Sequence, residues 1–311
     1  MANLKELTHL EERLAGGHRL CAGCGASIAV RQVLMGAGED PVVVGCATGC
    51  LEVSTSIYPY TSWRTPFIHN AFENAAATIS GVEAAYKGLK RAGKIPEGKR
   101  VKFVAFGGDG GTYDIGLQSL SGAMERGHDM VYVCYDNGAY MNTGIQRSSA
   151  TPKGAWATTS EVGKAQAGKP QKRKDLTAII AAHDIPYVAQ ASISHWNDLV
   201  TKAQKAFAVE GPAFLNVMAP CPRGWRCGYN KTVEVARLAV DTGFWPLYEV
   251  EDGEWRCTKK VRQRKPVREF LETQGRFKHL FKPENAHLLD EIQADVDRSF
   301  ERVMRLCGVE V

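Results

Sequence analysis

The 311-residue chain contains no run approaching the 18 or so uninterrupted apolar residues of a transmembrane helix. Its first residues, MANLKELTHLEERLAGG, carry a charge every few positions. They lack the apolar stretch and small-residue cleavage site of a secretory signal. These absences lead to the expectation of a soluble, cytoplasmic protein. No G-x-G-x-x-G opens a helix with an acidic residue after the following strand, which argues against a dinucleotide site. Internal repeats and low-complexity tracts are missing too, so a solenoid or a fibrous array is not expected.

Charge of one sign is in small excess. The formal net charge is +5, much of it in two runs, Lys169 to Lys174 (KPQKRK) and Lys259 to Lys265 (KKVRQRK). No aromatic-interleaved basic module accompanies either run, so nucleic acid is disfavoured as a partner. A solvated basic face is the plain reading, with an acidic protein partner as the alternative.

What is present is enough for a globular protein: 44% hydrophobic and 23% charged residues support one large α/β core and a smaller appendage. Short apolar, β-branched runs recur at Pro41 to Cys46, Val101 to Phe106, Met130 to Tyr135, Pro186 to Gln190 and Ala213 to Met218. They read as buried parallel strands. Amphipathic stretches between them read as helices at Gly25 to Leu34, Glu73 to Ala92, Ile115 to Arg126, Asp175 to Ala182 and His195 to Val209. The alternation predicts an α/β fold with a doubly wound, mostly parallel sheet, whose ligands sit beyond the carboxyl ends of the strands.

The segment from Asn137 to about Lys174 is long, rich in Gly, Ser, Thr and Pro, and has little helix or strand signal, the mark of a functional or disordered loop. After Cys227 the composition becomes charged and helical, with helices expected at Thr232 to Asp241 and Asn285 to Cys307. We therefore expect an α/β domain over residues 1–230 and a helical C-terminal extension over 231–311 that contacts partner subunits.

One expected strand runs directly into Gly107-Gly108-Asp109-Gly110-Gly111-Thr112, and a helix opens near Ile115. Glycines let the backbone approach a diphosphate, the helix N-terminus favours the anion, and Asp109 can hold a hard cation. Alone, such a loop is equally a tight turn with a capping aspartate. The next strand ends in Asp136-Asn137-Gly138-Ala139-Tyr140, placing Asn137 28 residues after Asp109 (137 − 109). Consecutive parallel strands would bring both to one sheet edge, where Asp109, Asn137 and the Ala139 carbonyl would suffice for magnesium. This pairing resembles the thiamine-diphosphate motif. Asn142 and Thr143 follow immediately and could donate to the diphosphate or face the reacting carbon.

Nine cysteines, an odd number without a secretory signal, point to metal or cluster ligation plus buried thiols. Cys21 and Cys24 form a C-x-x-C ahead of a helix, a spacing shared by zinc knuckles, iron–sulfur clusters and redox dithiols. Cys46 and Cys50 follow the first strand, and Cys221 follows the strand from Ala213 to Met218. On spacing alone, Cys21, Cys24, Cys46 and Cys50 could form a structural zinc site. Cys134, Cys257 and Cys307 read as unliganded thiols, and Cys227 stays open.

Taken in order, HRLCAGCGA, ATGCLEVSTSIYPYTSW, FENAAA, GGDGGTYDIGLQSLSGAMERGHD, CYDNGAYMNTGIQRS and APCPRGW resemble the β subunit of pyruvate:ferredoxin oxidoreductase, or pyruvate synthase, over roughly residues 15 to 250. The resemblance implies a sheet of the thiamine-diphosphate-binding (diphosphate domain) type. It also implies thiamine diphosphate with Mg2+, and one [4Fe–4S] cluster on Cys21, Cys24, Cys50 and Cys221. Magnesium would fall to Asp109, Asn137 and the Ala139 carbonyl. Gly108, Gly110, Gly111, Thr143 and Thr48 would face the cofactor, and Asn142 would be the active-site asparagine near the substrate.

Cys46 and Cys227 depart from the family pattern. The implied chemistry is oxidative decarboxylation of pyruvate, or its reverse, with coenzyme A and ferredoxin. Oxalate and 2-oxoisovalerate are alternative substrates, and a non-catalytic zinc-binding assembly subunit is the alternative from another class. A separate pyrimidine-domain chain would supply the activating glutamate, and a ferredoxin-like chain would carry further clusters. The chain is therefore expected to be inactive alone, with Glu73 better suited to capping or packing than to that glutamate's role.

Overall fold

The computed structural model describes residues 3–310 apart from residues 97 and 99. The apolar runs of the sequence form the middle of a single eight-stranded sheet. Its strands are β1 (Val42–Ala47), β2 (Phe67–Asn70), β3 (Lys102–Gly108), β4 (Val131–Asp136), β5 (Tyr187–Ser192), β6 (Ala213–Met218), β7 (Tyr248–Glu251) and β8 (Glu254–Cys257). They lie in the order β2-β1-β3-β4-β6-β5-β7-β8. β1 to β6 are parallel, while β7 and β8 join antiparallel at one edge.

Every residue of β4, β5 and β6 is buried. Strands covered on both faces need apolar side chains at consecutive positions, which is why these segments read as unbroken runs rather than alternating ones. Alternate residues serve opposite cores. Cys46, Val104, Phe106, Val133 and Tyr135 pack on one face, and Phe103, Ala105, Tyr132 and Cys134 on the other.

The helices are α1 (Leu4–Leu7), α2 (Gly25–Met35), α3 (Cys50–Thr55), α4 (Ala75–Arg91), α5 (Leu117–Glu125), α6 (Leu176–Ala181), α7 (Trp196–Ala208), α8 (Pro222–Trp225), α9 (Thr232–Asp241), α10 (Val267–Glu272) and α11 (Ala286–Leu306). α2, α7, α9 and α10 cover the first face, and α4, α5 and α6 the second. α7 shows the cause: Leu199, Val200, Ala203, Ala206 and Phe207 recur at helical spacing and are all buried. Burying each large apolar side chain stabilises by about 1.5–3 kcal/mol. Asp175 caps α6, accepting the Ala178 N–H at 3.1 Å.

The doubly wound sheet agrees with expectation, and three local features differ from the reading of the sequence. The helix placed near Ile115 starts at Gly110 as a π-helical turn (Gly110–Ile115), closed by Gly116 N–H donating to Gly111 O at 2.6 Å. β2 is a short edge strand of half-exposed residues with no β-branched run, so the pattern of Phe67–Asn70 carried no strand signal. The C-terminal extension, expected to hold helices and no strands, also contains the β7–β8 hairpin. Its turn, Asp252-Gly253, has φ of 49° and 82°, the positive pair that favours Asp-Gly in tight hairpins. Both cores draw on residues beyond 230: Trp245 and Phe270 complete one face, Phe300 and Val303 the other.

From β1 the chain moves to β2 on one side and returns to β3 on the other. Loops at the carboxyl ends of β1 and β3 therefore diverge, opening a crevice there.

Candidate cofactor site

A narrow cleft in this crevice is lined by Thr48, Gly49 and Cys50 after β1, Gly108, Gly110 and Gly111 after β3, and Asn137, Ala139, Asn142 and Thr143 after β4. Phe72, Tyr135, Tyr140 and Met141 complete it. Gly110 lies under the Tyr140 ring so closely that a Cβ there would come within 2.4 Å of it. A side chain at this position would displace Tyr140 from the cleft wall.

Asp109 lies beneath the lining and is fully buried. Its Oδ1 accepts the N–H groups of Asn137 and Gly138, each at 3.1 Å, and its Oδ2 accepts the Ser148 hydroxyl at 2.6 Å. Burial, with the Asp136 carboxylate second, pushes the Asp109 carboxyl up from its ordinary value. Asp136 is itself held by the Tyr113 hydroxyl at 2.7 Å and by Arg173 at 2.5 Å.

The side-chain oxygen of Asn137 faces two other oxygens, Asp109 Oδ1 and the Ala139 carbonyl, each 2.9 Å away. Exchanging the amide O and N would turn both contacts into hydrogen bonds. The two 2.9 Å separations from the Asn137 amide equal the spacing of neighbouring octahedral ligands about 2.0–2.1 Å from magnesium, so these groups are close enough together to hold a hard cation. The long loop after β4 braces this point: Thr151 Oγ1 donates to Gly138 O at 2.8 Å, and buried Lys169 donates to Thr151 O at 2.6 Å. Asn142 and Thr143 are exposed at the cleft mouth, with the Thr143 hydroxyl donating to the Gln146 side chain. Thr48 Oγ1 donates to Asn70 O at 3.1 Å, and Glu73 is not part of the lining.

Cys21, Cys24, Cys50 and Cys221 come together beside the cleft, each thiol within electrostatic reach of the others. Three of them occupy helix N-termini: Cys24 precedes α2, Cys50 opens α3, and Cys221 precedes α8 and accepts the Gly224 N–H at 3.3 Å. Free N–H groups at such ends favour thiolate charge. Burial nevertheless pushes the Cys24 thiol up to about 11 and Cys50 up to about 12.

Two loops distant in sequence make this arrangement. Gly25 N–H donates to Pro220 O at 3.1 Å, and Thr232 Oγ1 to Gly23 O at 2.5 Å. Gly23 has φ of 70° and lies so close to Tyr229 O that no side chain fits. Cys46, part of the zinc alternative, stands apart, fully buried in the core of its sheet face. Among the described residues no three His, Cys, Asp or Glu gather closely enough to grip a single ion. Zinc draws four sulfurs to about 2.3 Å of one point, whereas a cuboidal cluster gives each thiolate its own iron and spreads them.

The model of the thiamine pyrophosphate enzyme C-terminal TPP binding domain matches residues 43–217, the stretch that contains β1 to β6. Pyruvate synthase subunit PorB of Thermotoga maritima is 57% identical over 98% of this chain and 96% of its own. The chain belongs to the pyruvate synthase β-subunit family. Members of this family share an oxidoreductase role, and a ketoisovalerate oxidoreductase subunit VorB of Pyrococcus abyssi is 44% identical over 96% of this chain and 94% of its own. A solved 2-oxoglutarate:ferredoxin oxidoreductase from Magnetococcus marinus has a TM-score of 0.56 at 22% identity, covering 76% of this chain and 81% of its own. That likeness supports the α/β fold. No helix among the described residues is long and apolar enough to cross a membrane.

Residue-level reading of the sequence assigned nothing to Ser148, Tyr135 or Trp225, which the structure places at the site. Trp225 Nε1 donates to the Asn137 carbonyl at 2.6 Å. Its position four residues after Cys221 in APCPRGW was the available signal; Ser148, in an irregular loop, had none.

Proposed function

We propose that this chain is the thiamine-diphosphate and [4Fe–4S] subunit of a 2-oxoacid:ferredoxin oxidoreductase, with pyruvate as the oxoacid. The observation that carries the reading is the adjacency of a three-oxygen cation point and a four-cysteine group at one sheet edge. Gly49 and Cys50 are neighbours in the chain, and both line the cleft.

In this reading Asp109, Asn137 and the Ala139 carbonyl hold Mg2+, which neutralises the diphosphate. Gly108, Gly110, Gly111 and Thr48 allow close approach of the cofactor, with Asn142 and Thr143 at the open end where substrate enters. Cys21, Cys24, Cys50 and Cys221 hold the cluster. When bound, thiamine diphosphate supplies the carbon nucleophile that drives loss of carbon dioxide from the oxoacid, and the cluster accepts electrons singly. Asn142 orients the substrate, the buried Asp109 fixes the cation, and the helix N-termini at Cys24, Cys50 and Cys221 stabilise cluster charge. Coenzyme A takes the acyl group, and ferredoxin takes the electrons.

A pyrimidine-domain chain and a ferredoxin-like chain complete the enzyme, and residues 231–311 contact such partners. The isolated chain is then inactive, and the assembled complex is cytoplasmic. The ketoisovalerate relative at 44% identity favours a second reading, the same chemistry on a branched oxoacid.

The test is anaerobic purification of the complex, with iron, acid-labile sulfide and zinc measured against the visible spectrum. About four irons and four sulfides per copy of this chain, with brown absorption bleached by pyruvate plus coenzyme A, support the reading. Zinc in place of iron, or decarboxylation by the isolated chain, overturns it. Assays with pyruvate and 2-oxoisovalerate decide the substrate.

A further inference from the structure

Tyr135, the penultimate residue of β4, lies on the face that carries Cys46 and Phe106, and only 2% of it is exposed. Its hydroxyl has no hydrogen-bond partner among the described residues. Other buried tyrosines of the sheet region are satisfied: Tyr113 bonds Asp136, Tyr187 bonds Glu249, and Tyr132 bonds Thr112. A buried hydroxyl left unpaired is destabilising, so a group placed this way calls for a ligand.

The hydroxyl is aimed at the cleft. A Cβ on Gly49 would come 2.9 Å from it, and one on Gly108 3.4 Å. It thus occupies the gap between the loop after β1 and the end of β3, and Tyr135 is itself part of the cleft lining. Glycine at both positions lets the two backbones approach the buried oxygen this closely without a side chain between them.

We propose that Tyr135 is a further cofactor-binding residue, its hydroxyl donating a hydrogen bond to thiamine diphosphate held in the cleft that Gly49, Gly108 and Tyr135 line. This rests on the proposed function and adds a hydroxyl contact to the cleft lining. Because Gly49 directly precedes Cys50, a donor to the cluster is the competing assignment, and the experiment separates the two.

The test uses the assembled complex with Tyr135→Phe, which keeps the ring and deletes only the hydroxyl. After anaerobic removal of the cofactor, thiamine diphosphate is titrated back with Mg2+ by calorimetry, and the cluster potential is measured by redox titration followed by EPR. We expect Kd for thiamine diphosphate to rise about five- to tenfold. Iron content and cluster potential stay unchanged, and the Tm of the cofactor-free complex is equal or higher. An unchanged Kd, with or without a shifted potential, overturns the proposal. So does a lower Tm without cofactor, which would reveal an internal partner for the hydroxyl. A wild-type complex that fails to bind thiamine diphosphate at all would instead overturn the proposed function.

Discussion

Trp225 and Asn137 are joined by one hydrogen bond, indole N–H to main-chain carbonyl, at 2.6 Å. Trp225 closes the short helix that begins after Cys221, and Asn137 is one of the three residues proposed to hold the cation. The two halves of the site therefore share a rigid strut.

Trp225→Phe keeps an aromatic ring and leaves the Asn137 carbonyl unpaired, at about 1–3 kcal/mol. We expect the Tm of the cofactor-free subunit to fall by roughly 1.5–5 °C. The Mg2+ concentration for half-maximal thiamine diphosphate binding should rise several-fold. Calorimetry and a magnesium titration check both effects, and an unchanged magnesium requirement would argue against the strut.

Asp109→Asn removes the charge at the cation point while nearly preserving shape. Mg2+-dependent binding of thiamine diphosphate should weaken by at least about a hundredfold, equivalent to about 2.7 kcal/mol. Cluster content should be retained, because no cysteine touches Asp109 through a hydrogen bond. Loss of iron in this variant would contradict separate cation and thiol sites.

The central strands and most helices were legible because burial on both faces demands consecutive apolar residues, as in β4 (VYVCYD) and β6 (AFLNVM). β2 was illegible because FIHN is half exposed and owes its place to pairing with β1. The hairpin carries a turn signal in Asp252-Gly253, but its strands YEVE and EWRC are short and charged and give little apolar alternation. For the site, Asp109 and Asn137 could be paired from their strand-end positions. The sequence spacing alone suggested Cys46 rather than Cys221 as a fourth thiol. Only the fold shows that Cys46 points into the core while Cys221, far along the chain, returns to the C-x-x-C turn.

Cysteine substitutions separate these assignments. Cys221→Ala should lose most of the iron. Cys46→Ala should keep it, at a stability cost of about 1 kcal/mol from the smaller core side chain. Iron and sulfide assays on the two purified complexes check the contrast; iron loss in Cys46→Ala would reverse the ligand assignment.

Thiol chemistry has a definite pH sign. In the cluster-free chain, a thiol raised to about 11 at Cys24 is protonated at neutral pH. At pH 8 about one part in a thousand is thiolate, so alkylation of Cys24 should be slow and accelerate about tenfold per pH unit until near 11. Cys21, the one exposed cysteine among the described residues, should react first. Mass spectrometry of iodoacetamide-treated protein between pH 7 and 10 reads the order.

Arg276 is 2% exposed, stacks at 4.0 Å over Trp225, and senses the charges of Cys221 and Cys227. Burial lowers its guanidinium to about 9, which leaves it a cation at neutral pH. A fixed cation beside the cluster favours its more negative, reduced form. Arg276→Met should therefore lower the cluster potential, and Arg276→Lys should restore part of the shift. Redox titration followed by EPR measures both; equal potentials in all three proteins would remove Arg276 from this role.

The seam between Gly23 and Thr232 has a consequence for biosynthesis. The cysteines it unites stand at positions 21, 24, 50 and 221, so the first thiol emerges from the ribosome some two hundred residues before the last. No nascent fragment shorter than that can present all four together. In the proposed function, assembly of the complete four-thiol site therefore waits until the chain has been made at least as far as Cys221, about two thirds of its length.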